Sequence, residues 1–183
     1  MNKNFSFSIG FLLDILVYGL LTVVLAVLQT TLVPRFPIYD ATPDIMIGAI
    51  AFLGIYRGER TAALFGLSAG LCIDGLSSVG VSFLPLFYCL AGFVCGSVGK
   101  AAREKARFAA FLVTIPLFSL SKTLITFLSF IIRYKNELDY GRYMLYTFLP
   151  EFISTLALCI PIFLVVKLFD LPLKIARDGG GLY

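Results

Sequence analysis

The sequence predicts an all-α integral membrane protein, a six-transmembrane-helix bundle forming one domain over residues 1–183. Three observations carry that expectation. Of the 183 residues, 59% are hydrophobic and 14% charged, with a mean hydropathy of +0.93. A soluble domain is roughly 45–50% apolar and about 25% charged. The apolar residues also fall into segments near the ~20 residues that a helix needs to cross a bilayer. Finally, the basic residues gather in the short loops between segments, mostly on alternate ones, as the positive-inside rule requires.

The first helix is expected from about Phe11 to Val33, closed by Pro34 and Pro37, which cannot continue a helix. Its apolar run is too long for a signal-peptide core, contains Asp14, and has no Ala-x-Ala site before Pro34, so it reads as uncleaved. The second helix, about Pro43–Tyr56, has proline in the favoured first turn. The third, about Thr61–Leu76, is followed by the turn residues Ser77, Ser78 and Gly80. Both are short for a span, which suits a thinned or protein-shielded region. The fourth is expected at about Ser82–Val98, the fifth at about Phe108–Ile132 and the sixth at about Tyr146–Phe169. The tail from Asp170 to Tyr183 ends in a Gly-rich run and reads as loose. Six crossings place Lys3, Arg57, Arg60, Lys100, Arg103, Lys105, Arg107, Lys167, Lys174 and Arg177 on one side, and only Arg35, Arg133, Lys135 and Arg142 on the other. Both termini are therefore expected in the cytoplasm, with Asp44 and Asp74 at the outer ends of the second and third helices.

Several function classes drop out. There is no histidine, and Cys72, Cys89, Cys95 and Cys159 lie inside apolar segments without C-x-x-C spacing. No Walker motif, phosphate-cradling Gly-rich loop, Ser/His/Asp set or metal cluster appears. No enzyme, cofactor or metal is expected. The net charge of +4 is explained by topology, so no nucleic-acid partner is expected either. The linker Lys100–Arg107, KAAREKAR, is expected to touch anionic lipid heads, at about 1 kcal/mol per cation.

An ionisable group inside a membrane costs roughly 2.5–3.5 kcal/mol, so each one is a candidate site. Asp14 lies near the cytoplasmic end of the first helix, where an interfacial and a functional role are both open. Lys122 falls near the middle of the fifth helix, out of snorkelling reach of either surface. It shares a face with Ser119, Thr126 and Ser129, and Pro116 is expected to kink the helix. Glu151 follows Pro150 near the outer end of the sixth helix. Lys122 is expected to pair with Glu151 or Asp74, either to hold helices in register or to serve transport or a proton relay. Ala62, Gly66 and Gly70 lead to Asp74 in steps of four, along one helix face. With Gly92-x-x-x-Gly96, they form small faces where backbones approach closely, for packing inside the protein or for a partner helix.

The order Pro43-Asp44, Arg57-Gly58, Gly66, Gly70, Asp74, Gly80, with Gln29 ahead of a proline-ended first helix, resembles the MreD family of bacterial rod shape-determining membrane proteins. The motif part covers Pro43 to about Gly99; the remainder resembles the family in hydropathy and helix number. The resemblance implies a bundle similar to the substrate-binding subunits of energy-coupling-factor transporters. It also implies a non-enzymatic scaffold in the bacterial inner membrane that binds MreC, alongside MreB, RodA and a class B penicillin-binding transpeptidase, in lateral peptidoglycan synthesis. On that reading the Ala62/Gly66/Gly70 face would receive the MreC transmembrane helix. The alternative is the substrate-binding subunit of a small-molecule transporter, with Asp44 and Asp74 holding a cation or amine. Against it, the first helix lacks the Ala-x-x-x-Ala face of such subunits, having Ala26 followed by Thr30.

Overall fold

The computed structural model describes residues 9–35, 41–76, 83–133 and 140–179, with no strand among them. Helix α1, Ile9–Val27, continues through a π turn at Leu28–Leu32 and a 3₁₀ turn at Val33–Arg35. Next come α2 (Ile45–Arg57), α3 (Glu59–Leu76) and α4 (Leu84–Ala101). A 3₁₀ turn at Glu104–Ala106 leads into α5, Arg107–Arg133. A single turn, α6 (Tyr140–Tyr143), passes through a π turn at Met144–Phe148 into α7, Leu149–Gly179, making one rod. Of the six rods, four are long and apolar enough to cross a membrane, as in a multi-pass membrane protein: Leu16–Arg35, Leu84–Ala101, Glu104–Ser129 and Met144–Leu168.

The short α2 is the axis of the bundle. Thirteen residues make a helix about 20 Å long, less than the about 30 Å of a hydrocarbon core. Every residue from Ile45 to Ile55 is buried. Around it α3, α4, α5, α7 and α1 form a closed ring, each touching the next and each touching α2. The apolar surface lies outside: Leu16, Leu20 and Val23 on α1 and Val113, Leu117 and Leu124 on α5 are all exposed. Of the two ways a short helix can sit in a membrane, α2 takes the shielded one.

A one-residue turn joins α2 to α3. Gly58 has φ +101°, a conformation that a side chain would strain. Its N–H donates to the Gly54 carbonyl at 3.0 Å and the Leu53 carbonyl at 3.2 Å, closing α2. Returning antiparallel, α3 packs on α4 without side chains between the backbones. A Cβ at Gly66 would overlap the Tyr88 carbonyl, at Gly70 the Pro85 backbone, at Gly92 the Ala62 carbonyl, and at Gly96 the Glu59 backbone. Lys100 Nζ donates to Glu59 Oε1 at 2.6 Å across the basic end of this pair, and that ammonium holds the Glu59 carboxyl below the usual carboxylate range.

Several expectations need correction. Pro43 precedes α2 instead of opening it. Asp44 is the N-cap, in an extended conformation, accepting from the Met46 N–H at 2.9 Å. The segment expected to be a loose tail is helical through Gly179, the helix running on past Pro172 to the glycine run. On the face shared with Lys122, Ser119 is buried and Ser129 is exposed, its hydroxyl donating to the Ile125 carbonyl at 2.8 Å. Gly80 and the Asp14 side chain lie outside the described residues.

Candidate functional site: a polar joint on the bundle axis

Because α2 stops short, its N-terminus and the extended segment before it lie within the bundle, where backbone groups need protein partners. The π turn of α1 presents Gln29 to this break. Gln29 Nε2 donates to the Pro43 carbonyl at 3.0 Å, and its Oε1 accepts from the Ile45 N–H at 2.9 Å. From α7, Thr155 Oγ1 accepts the Asp44 N–H at 3.0 Å. The Asp44 Oδ1 cap satisfies Met46. Four backbone groups at the break, the Pro43 carbonyl and the N–H groups of Asp44, Ile45 and Met46, are therefore paired, each through a named side chain.

The same Asp44 anchors an ion cluster. Its Oδ2 accepts from the Tyr88 hydroxyl of α4 at 2.5 Å and lies 3.0 Å from Lys122 Nζ of α5. Lys122 Nζ also donates to Glu151 Oε1 of α7 at 2.9 Å. Asp44 is 1% exposed, Lys122 15% and Glu151 12%. Counted at 1.5 Å per residue from the basic end of each rod, the cluster occupies one level. Asp44 stands about 20 Å from Arg57, Tyr88 about 18 Å from Lys100, Lys122 about 22 Å from Arg107, and Glu151 about 24 Å from Lys167. The positive end of the α2 dipole adds to the attraction for Asp44.

Of the residues singled out in the sequence, Lys122, Glu151 and Asp44 meet. Lys122 pairs with Glu151 as one alternative had it, but its second acid is Asp44, not Asp74. Asp74 is half-buried at the outer end of α3 (the end away from the basic loops), and its Oδ1 is enclosed without a hydrogen-bond partner. Asp44 does not face outward for a ligand, since Lys122 and Tyr88 cover it. The face of Ala62, Gly66 and Gly70 is not a docking groove either, because α4 already lies against it. Three partners were missed: Gln29 as a clamp, Tyr88 and Thr155. Thr155 follows Glu151 by one helical turn, so a shared face was readable. Tyr88 is the polar interruption of LPLFYCLAG, a weaker signal.

No group of three or more His, Cys, Asp or Glu that could hold a metal ion occurs among the described residues. All four cysteines are free thiols, two of them buried. Compared with known proteins, the chain matches no family model, no curated protein and no solved structure.

Proposed function

We propose that this chain is a non-enzymatic scaffold of the MreD type in the bacterial inner membrane, binding MreC and supporting lateral peptidoglycan synthesis and rod shape. The observation that carries the reading is the saturation of Asp44: both oxygens are occupied by Met46, Tyr88 and Lys122 of the same chain. A substrate site keeps its charged groups available, whereas a joint uses them up. The residues behind the resemblance do the work of joints. Gln29 and Pro43 fasten the break, Asp44 locks it, Gly58 turns the hairpin, and Gly66 and Gly70 bring α3 onto α4.

The axis below the joint supports the same reading over a transport or proton-relay role. From Ile45 to Tyr56 it holds no ionisable group except the terminal tyrosine. It is sealed by aromatic packing, with Phe52 and Phe163 centroids 5.2 Å apart and Phe111 and Phe163 4.9 Å apart. We further infer that the bundle is similar to the substrate-binding subunits of energy-coupling-factor transporters, with its basic ends cytoplasmic and Lys100–Arg107 against anionic lipid heads. RodA, the class B transpeptidase and MreB would be reached through MreC.

The test is depletion in the native bacterium together with affinity capture. A scaffold predicts that rods round up and that a tagged chain co-purifies an MreC-type protein. Rods that persist, no capture, and loss of uptake of a small molecule would assign the chain to transport instead.

A further inference from the structure

Asp74 stands at the level of the joint but outside its hydrogen bonding. It lies about 22 Å along α3 from Glu59, a depth at which a carboxylate without a donor is costly. Its Oδ1 is enclosed and accepts nothing, while the side chain as a whole is only partly buried. Lys122, the cation of this level, is already shared by Asp44 and Glu151. Two carboxylates thus take up this ammonium, Asp74 is not among them, and the α2 dipole favours Asp44 rather than Asp74. A buried polar atom left unpaired calls for a partner, and none of the described residues supplies one.

The neighbouring residue gives a second, independent indication. At Gly66, Gly70, Gly92 and Gly96 a Cβ would strike backbone, so those glycines serve α3–α4 packing. At Gly75 a Cβ would meet nothing within 4 Å. Nor does Gly75 provide a left-handed turn, since Gly58 is the positive-φ glycine among the described residues. A glycine inside a helix weakens it relative to alanine, and among the described residues neither packing nor backbone conformation explains this one. Around it Leu71 and Leu76 are exposed. The surface thus combines an open backbone, apolar flanks and an unpaired carboxylate.

We propose that the outer end of α3, centred on Asp74 and Gly75, seats the transmembrane helix of a single-pass partner carrying a Lys or Arg near its outer end. The cation pairs with Asp74, and the partner backbone crosses at Gly75. The proposal rests on the scaffold reading and names the chemistry by which that partner is recognised. Charge complementarity selects a cationic helix over a wholly apolar one. The open glycine selects a close-packed helix over a free amine, which would have no use for it.

The full-length chain, in nanodiscs of phosphatidylethanolamine and phosphatidylglycerol, is titrated with the full-length MreC-type protein of the same cell. Asp74→Asn and Gly75→Phe should each weaken binding by about tenfold or more, and Asp74→Glu should stay within about threefold of the unaltered chain. Neither loss should be accompanied by a fall in the thermal midpoint of the chain alone, since Asp74 Oδ1 accepts no hydrogen bond and a Cβ at Gly75 meets nothing within 4 Å. Asp74→Lys should regain binding when the partner's cation is exchanged for Glu. If the Asn and Phe variants bind like the unaltered chain, the α3 site is overturned and the scaffold reading stands. If the unaltered chain binds nothing, the scaffold reading falls, and this site with it. Competition by free ethanolamine, with Gly75→Phe harmless, would assign Asp74 to a small amine and overturn the helix site.

Discussion

Lys122 holds two carboxylates from different helices, so removing it is unlike removing a surface charge. Lys122→Met would leave Asp44, 1% exposed, and Glu151 without a counter-ion. Breaking a buried ion pair from one side costs about 3–5 kcal/mol, whereas neutral replacement of the whole set is often near neutral. Lys122→Met should therefore be strongly destabilising, and adding Asp44→Asn and Glu151→Gln should recover much of the loss. Denaturant unfolding of the reconstituted protein reads this out. Strict additivity across the cycle would show that the three do not act as one unit. Tyr88→Phe removes a single donor to a charged acceptor and should cost about 1.5–3 kcal/mol in the same assay. At this scale the need for a partner was legible, because a lysine in mid-span cannot reach water. The identity of its second partner was not. Helical spacing fixes which face a residue occupies along one helix, but says nothing of how far a neighbouring helix starts inside the membrane. Asp44 lies deeper than its place before an apolar segment suggested, because α2 is short at its outer end.

Among the elements, the α3–α4 pair shows what small-residue spacing can and cannot tell. The steps of four through Ala62, Gly66 and Gly70, and from Gly92 to Gly96, correctly mark faces where backbones touch. They do not say whose backbone arrives, since any helix with a complementary face would fit the pattern. The short connection between the two helices favours each as the other's partner, and the antiparallel contacts run in one register from Gly96 and Glu59 to Gly70 and Pro85. Gly66→Leu or Gly70→Leu should thus disrupt the protein itself. Overpacking costs typically about 1–3 kcal/mol, and more is expected where the obstacle is backbone and cannot move aside. Gly66→Leu should lower the thermal midpoint and prevent oxidative closure of a disulfide between cysteines introduced at the basic ends of α3 and α4. Gly75→Leu should leave both unchanged. Equal tolerance of leucine at Gly66 and Gly75 would contradict the packing described.

For the whole molecule, the hydropathy pattern revealed six rods and their approximate order, but not that one of them is enclosed by the other five. Burial of α2 on every side follows from composition once it is seen: IMIGAIAFLGI has no polar face to turn towards anything. A helix only about 20 Å long with its outer end closed by Gln29, Asp44 and Thr155 then fixes a common polar level for the surrounding ring. That level can be measured from outside. The chain has no tryptophan, so a single introduced indole is a clean reporter. Leu71 on α3, Leu86 on α4, Leu120 on α5 and Ile153 on α7 are exposed and lie about 18–21 Å from the basic ends of their rods. In a core about 30 Å thick this is several ångströms beyond the midplane. Replaced by Trp one at a time, all four should be quenched most strongly by lipids brominated at the same chain position. Their depths should agree within about 4 Å, given helix tilts near 20°. Maxima scattered from headgroup to midplane would mean that the rods are staggered in the membrane. Asp44, Tyr88, Lys122 and Glu151 could not then share one level, and the joint would not close.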